Sequence, residues 1–157
     1  MKKLKNIIEY ILLNYPQSDE LSKPRLVKLI YLIDWKYTID YKNQYTDIRW
    51  YFNHYGPYVE DVINLMKSDS ETFEVTSYAN PYSGGITDKF KLRKETSPIL
   101  NENVIKTAKF IMENTYHMSW SKFISLVYSS YPIKKSEKYT YLDLESFSIE
   151  FNDKKSR

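Results

Sequence analysis

Two histidines, no cysteine and three glycines are all that this chain offers to the commoner kinds of catalysis. His54 lies close in sequence to Glu60 and Asp61, with Gly56-Pro57 between them. A turn there can bring a carboxylate to the imidazole, and such a pair can move protons or help to hold a metal ion. Zinc sites, however, recruit more nitrogen or sulfur ligands, and one histidine near two acids arises often by chance. His117 falls in a polar connection and reads as an exposed or capping residue. Gly56, Gly84 and Gly85 cannot supply the spacing of a Walker loop or of a dinucleotide fingerprint. No G-x-S-x-G elbow occurs, and without cysteine neither a thiolate site nor a disulfide can form. The expectation is a protein with no catalytic residue, no metal and no cofactor, and not an enzyme.

Asp34 is the acid of most interest, because Ile33 and Trp35 flank it in an apolar stretch. A buried carboxylate must find a partner, since an unpaired charge is costly inside a protein. A salt bridge or hydrogen bond within the fold, to Lys23, Arg25 or His54, is the favoured reading over a binding-site acid. Trp35, Trp50 and Trp120 follow the helical or strand pattern and read as core. Tyr51, Tyr55 and Tyr58 flank Gly56-Pro57, where alternation sends some side chains outward. Together with His54 they are the candidate partner-binding residues. Lys89, Lys91 and Arg93 alternate along one strand face and read as a solvated surface rather than a docking site.

The elements that position these residues centre on 21–67. Ser22 can cap a helix and Pro24 fits its first turn. Leu26, Leu29, Ile30, Ile33 and Tyr37 recur at helical spacing, and Leu32, Trp35 and Ile39 make a second stripe beside them. A helix apolar over so much of its circumference is central and packed by several neighbours. Arg49 to Tyr55 alternates as a short strand and stops at Gly56-Pro57, a junction that can open the next helix with Val59, Val62, Ile63 and Met66 on one face. Upstream, Leu4, Ile7, Ile8, Ile11, Leu12 and Tyr15 mark an amphipathic first helix; Glu9 and Tyr10 interrupt it as a secretory signal. The alternating runs on either side of 80–85 predict a hairpin over 72–93. The strand before Gly56 can supply a third member, since a two-stranded ribbon is barely stable alone. Asn101 opens a fourth helix carrying Val104, Ala108, Ile111 and Met112. Ser119 caps a fifth with Trp120, Phe123, Ile124, Val127 and Tyr131, stopped by Pro132. Beyond Lys134 the chain is charged yet too apolar for simple disorder; 147–151 reads as a strand and 142–147 as a helical turn, with neither preferred.

The fold class is therefore α+β, mainly α, with about five helices around a central helix and a small antiparallel hairpin or sheet. The 157 residues suffice for one domain, a core over 1–132 and a partly docked tail over 133–157. A net charge of +3, with the basic residues gathered at the ends, argues against a nucleic-acid footprint. Sixteen tyrosines accompany abundant Lys, Ile and Asn, as a low-GC genome produces without functional demand. No apolar run approaches a membrane span, and a cytoplasmic location is expected.

The run Lys23 to Asp34, then Trp50 to Val59, then Met118 to Phe123 with Leu126, Val127 and Tyr128, resembles the Panacea domain, the SocA-like antitoxin family of bacterial and phage genomes. The family's H/Y-G-P-V run reads Tyr55-Gly56-Pro57-Tyr58-Val59 here, with Tyr58 inserted. The resemblance implies an antitoxin that neutralises a small cognate toxin, usually encoded by the adjacent gene, by direct protein–protein contact. For the SocA type it also implies delivery of the toxin to a protease. A phage-associated regulator or proteolytic adaptor is the second reading, and an undetected hydrolase or nucleic-acid-binding protein a distant third. Homo-oligomerisation stays open. Gly56, Pro57, Asp34 and Trp35 are read as the structural residues of the motif.

Overall fold

In the computed structural model, which describes residues 2–156, the chain winds around one helix, α2 (Lys23–Tyr41). Ser22 Oγ accepts from the Arg25 amide at 3.3 Å, and Pro24 occupies the first turn, where its missing N–H leaves nothing unsatisfied. At the other end Lys42 turns left-handed and its amide closes on the Thr38 carbonyl. Ten consecutive residues, Leu26 to Trp35, are buried, so the helix has no solvent face over its middle turns. The two apolar stripes read from the sequence produce this, and helices pack on several sides in response.

The main neighbours are α4 (Glu102–Thr115) and α7 (Leu144–Lys155), and the other helices are α1 (Lys2–Asn14), α3 (Asp61–Ser68), α5 (Trp120–Ser129) and α6 (Tyr131–Lys135). Seven α-helices among the described residues, with two small antiparallel sheets, make the fold α+β and mainly α. Leu29, Ile33, Val62, Ile111 and Phe123 all lie in the core. Arg25 fastens the start of α2 to the end of α4. Its guanidinium donates to the Thr115 carbonyl at 2.7 Å and the Met118 carbonyl at 3.0 Å, and stacks on the Phe123 ring. A cation at those unsatisfied carbonyls also complements the helix dipole.

The hairpin forms as the alternation predicts. β3 (Phe73–Ala79) pairs with β4 (Ile86–Leu92), from Phe73 opposite Leu92 to Ala79 opposite Ile86. Phe73 and Phe90 face the core, while Lys91 pairs outward with Glu74 at 3.2 Å.

Four expectations need correction. The strand before Gly56 does not join the hairpin. β1 (Phe52–Asn53) turns back onto β2 (Gly56–Pro57), and its other backbone groups meet the tail. The Phe52 amide donates to Thr140 O at 2.9 Å and the Leu142 amide to Trp50 O at 2.8 Å. The tail thus satisfies donors and acceptors that the hairpin was expected to satisfy. Pro57 does not open a helix: the Tyr58 amide still donates to Tyr51 O at 3.0 Å, and α3 begins only at Asp61. Pro132 does not merely stop α5; it sits in the first turn of α6. Finally, 147–151 is neither strand nor short turn but part of α7, capped by Asp143. Phe147 and Phe151, one helical turn apart, both pack on Tyr131, and Phe151 also meets Trp35 edge-on at 5.8 Å. Ile149 between them, which suggested alternation, is exposed.

Candidate functional site

Asp34 and the Gly56-Pro57 turn are held by different parts of α2, and only one of them borders a cavity. The Asp34 carboxylate is wholly buried and accepts three hydrogen bonds. The Thr46 amide donates at 3.0 Å, the Trp50 indole N–H at 2.8 Å, and the Thr46 hydroxyl completes the set. Lys23, Arg25 and His54, the partners expected from the sequence, are elsewhere: Lys23 lies 3.5 Å from Asp88, Arg25 caps α4, and His54 is exposed. The reason is geometric, because Asp34 is on the fourth turn of α2 and the loop over 42–50 returns across that turn. Burial pushes the Asp34 carboxyl up to about 6, while the donors from Thr46 and Trp50 pull the other way. Asp34 thereby pins the 42–50 loop and the root of β1 to the central helix. Trp50 is in turn edge-on to Tyr31 at 5.5 Å, and the Tyr31 hydroxyl meets Ser130 Oγ at 2.8 Å. Trp35 is buried against α7.

The β1–β2 turn forms one wall of a cleft of about 710 Å³. The N-terminal turns of α2 contribute Lys23, Pro24 and Lys28; the turn contributes Asn53, His54, Tyr55 and Tyr58; α5 contributes Trp120, Ile124 and Tyr128. Gly56 sets how closely these walls meet. Its φ of +105° suits glycine, and a Cβ there would lie 3.4 Å from the Tyr128 ring and 3.5 Å from Lys28 Cε. Tyr55 projects from the lip, 74% exposed, with its ring edge-on to His54. His54 Nδ1 is 3.0 Å from the Tyr139 hydroxyl rather than near Glu60 or Asp61. Tyr58 is half-buried on the same lip, but Tyr51 points away and packs on Tyr141 at 5.0 Å. The structure therefore brings His54, Tyr55 and Tyr58 together and leaves Tyr51 outside. Trp120, expected in the core, is 44% exposed: as the first residue of α5 it overhangs the cleft instead.

Lys28 is the residue that the sequence reading missed. It is 2% exposed, and among the described residues no carboxylate pairs with it. Its Nζ lies 5.8 Å from the Tyr58 ring centroid and 6.0 Å from that of Trp120. Burial lowers its ammonium to about 8. Its sequence neighbours Leu26, Val27, Leu29 and Ile30 are all apolar and buried, and it is their burial, not the residue type, that marks it. The cleft carries two lysines, aromatic walls and no acidic residue. Among the described residues no group of three or more His, Cys, Asp or Glu is placed to hold a metal ion. Among them, too, no helix is long and apolar enough to cross a membrane.

The chain is thus a mainly helical α+β domain threaded by one buried helix, with an aromatic and cationic cleft at a Gly-Pro turn. The antitoxin SocA-like, Panacea domain matches residues 26–132, more than half of the chain, and this protein belongs to that family. The match takes in the turn, α5 and Lys28, and ends before α7 and the residues 139–142 that lie beside β1. No curated protein and no solved structure matches the chain.

Proposed function

We propose that this protein is a cytoplasmic antitoxin that neutralises a small toxin, encoded by the adjacent gene, through direct protein–protein binding at the cleft beside Gly56-Pro57. Family membership supports the antitoxin role. The observation that carries the location is the set of aromatic side chains around the cleft, with Tyr55 and Trp120 exposed and Tyr58 and Tyr128 half-buried. Tyrosine and tryptophan contribute large contact area at low entropy cost and dominate interfaces when their surroundings exclude water. Such a surface blocks a toxin by occupying it and requires no turnover, cofactor or metal.

The test is co-expression. The adjacent small gene alone should arrest growth, this protein should restore it, and the two should co-purify. Rescue without a complex, with the toxin disappearing only when a cellular protease is present, would replace neutralisation by the adaptor role.

A further inference from the structure

Of the buried side chains Lys28, Tyr31, Asp34 and Thr38 on α2, all but Lys28 are matched within the fold. Asp34 has three donors, the Thr38 hydroxyl donates to the Asp34 carbonyl at 2.6 Å, and Tyr31 meets Ser130. Lys28 has no hydrogen bond or ion pair among the described residues, although it is as deeply placed. The one buried side-chain atom there that is sealed from both solvent and partners is Thr96 Oγ1, so the Lys28 ammonium still looks out into the cleft. Its Cε lies against Gly56, and the rings of Tyr58 and Trp120 stand at the outer limit of cation–π attraction.

We infer that the cleft receives a carboxylate of the toxin, an Asp or Glu set among apolar side chains, and that Lys28 forms the ion pair with it. This rests on the antitoxin reading and adds the chemistry of the partner segment. The charge pattern selects an anion: no acidic residue lines the cleft, and the second lysine, Lys23, already faces Asp88 at 3.5 Å. The donor count selects a carboxylate over a phosphate, because phosphate sites gather several donors, usually with an arginine fork or a row of backbone amides. Only one unmatched ammonium is present: Lys23 faces Asp88, Asn53 Oδ1 accepts from the His54 amide, His54 Nδ1 meets the Tyr139 hydroxyl, and the remaining wall is tyrosine, tryptophan, proline and isoleucine, with no arginine. The volume accommodates a few side chains of a peptide segment, not one small ion. Much of the lysine's desolvation is already incurred in the free protein, so pairing recovers attraction with only the remainder of that penalty falling on binding.

The inference has a proton signature. Burial holds the Lys28 ammonium near 8 in the free protein, and an apposed carboxylate raises it. Above pH 8 the complex must therefore take up a proton.

Titration calorimetry tests this with the product of the adjacent gene, at several pH values and in two buffers of different ionisation heat. The expected result is uptake of most of one proton at pH 9 and an affinity about 10- to 30-fold weaker at pH 9.5 than at pH 7.5. Lys28→Met should bind at least roughly 10-fold more weakly, take up no such proton and melt no lower than the wild type. Equal affinity of Lys28→Met and wild type, with unchanged proton uptake, would overturn the inference and leave neutralisation by binding intact. No binding by the wild type would defeat the antitoxin reading itself. If Lys28→Met fails to fold, proton uptake by the wild type decides alone, and its absence refutes the pairing. Two controls address other occupants. Hexanoate at millimolar concentration that binds with the same proton uptake and is not displaced by the toxin would make this a small-molecule site. A dimer lost in Lys28→Met would make the occupant a second copy of this chain. Either result overturns the inference.

Discussion

Asp34→Asn separates the contribution of charge at the centre of the fold from that of geometry. The wild-type carboxyl sits near 6 when folded and near 3.8 when unfolded, so between those values the folded state holds the extra proton. Stability is therefore unaffected by this group below about pH 4, falls as pH rises through the window, and is flat again above 6. A shift of this size corresponds to about 3 kcal/mol, from about 1.4 kcal/mol per pH unit. Asparagine has no such titration. It also cannot accept from every donor, because in either amide orientation its N–H₂ faces the Thr46 or Trp50 side. That mismatch costs about 1–3 kcal/mol at any pH. At pH 4 Asp34→Asn should then be clearly less stable than the wild type, and by pH 7 the deficit should shrink, vanish or reverse by about 3 kcal/mol. Urea unfolding of both proteins at pH 4, 5, 6 and 7 measures the difference, and the other titrating groups cancel between them. A difference constant across that range would refute the reasoning, because it would mean that the three donors fully offset burial.

Three further outcomes follow from the same structure. Leu29→Ala removes a fully buried side chain from the most crowded part of α2 and should cost about 2–5 kcal/mol in denaturant titrations; a loss typical of surface sites would remove it from the core. Gly56→Val forces a β-branched residue to φ +105° against Tyr128 and Lys28, so folding and rescue should fall together, with a loss of at least about 1–3 kcal/mol; a fully stable variant that fails to bind would make Gly56 an interface residue. Lys28→Met should raise stability at pH 7 by up to about 3 kcal/mol, since the folded-state value is depressed from 10.5 to about 8. The wild type regains that deficit as pH rises from about 8 to 10.5, where its unfolded chain still holds the proton and its folded chain does not, so the gap in melting temperature should close over that interval.

Periodicity was enough to read α2 as the centre, because Leu26, Leu29, Ile30 and Ile33 declare one apolar stripe, Leu32 and Trp35 a second beside it, and local spacing alone decides burial. The hairpin was legible for the same reason: Phe73, Val75, Phe90 and Leu92 repeat every second residue on one face. Contacts between distant segments were not. Nothing near Phe52 announces that 139–142 will lie beside it, and nothing near Asp34 points to Thr46 rather than to a basic residue. Tail helix α7 was obscured by Ile149, whose exposed position completes an apparent alternation between Phe147 and Phe151. At the cleft, the turn and its tyrosines could be named from sequence. Trp120 could not be placed there, because a tryptophan at the start of an amphipathic helix satisfies the core pattern equally well. Lys28 was hidden by its type, since a helix lysine is ordinarily solvated and only the burial of all its neighbours shows otherwise.

Hydrogen exchange on the complex with the adjacent gene's product tests the proposed mode of neutralisation most directly. Amides in 53–58 and 120–128, the two walls of the cleft, should slow on binding. Tyr55→Ala, at an exposed residue of the lip, should weaken the complex by roughly 1–3 kcal/mol with little change in melting temperature. A tight complex in which those segments exchange as freely as in the unbound protein, with protection confined to the β3–β4 hairpin or to α7, would contradict neutralisation through the cleft.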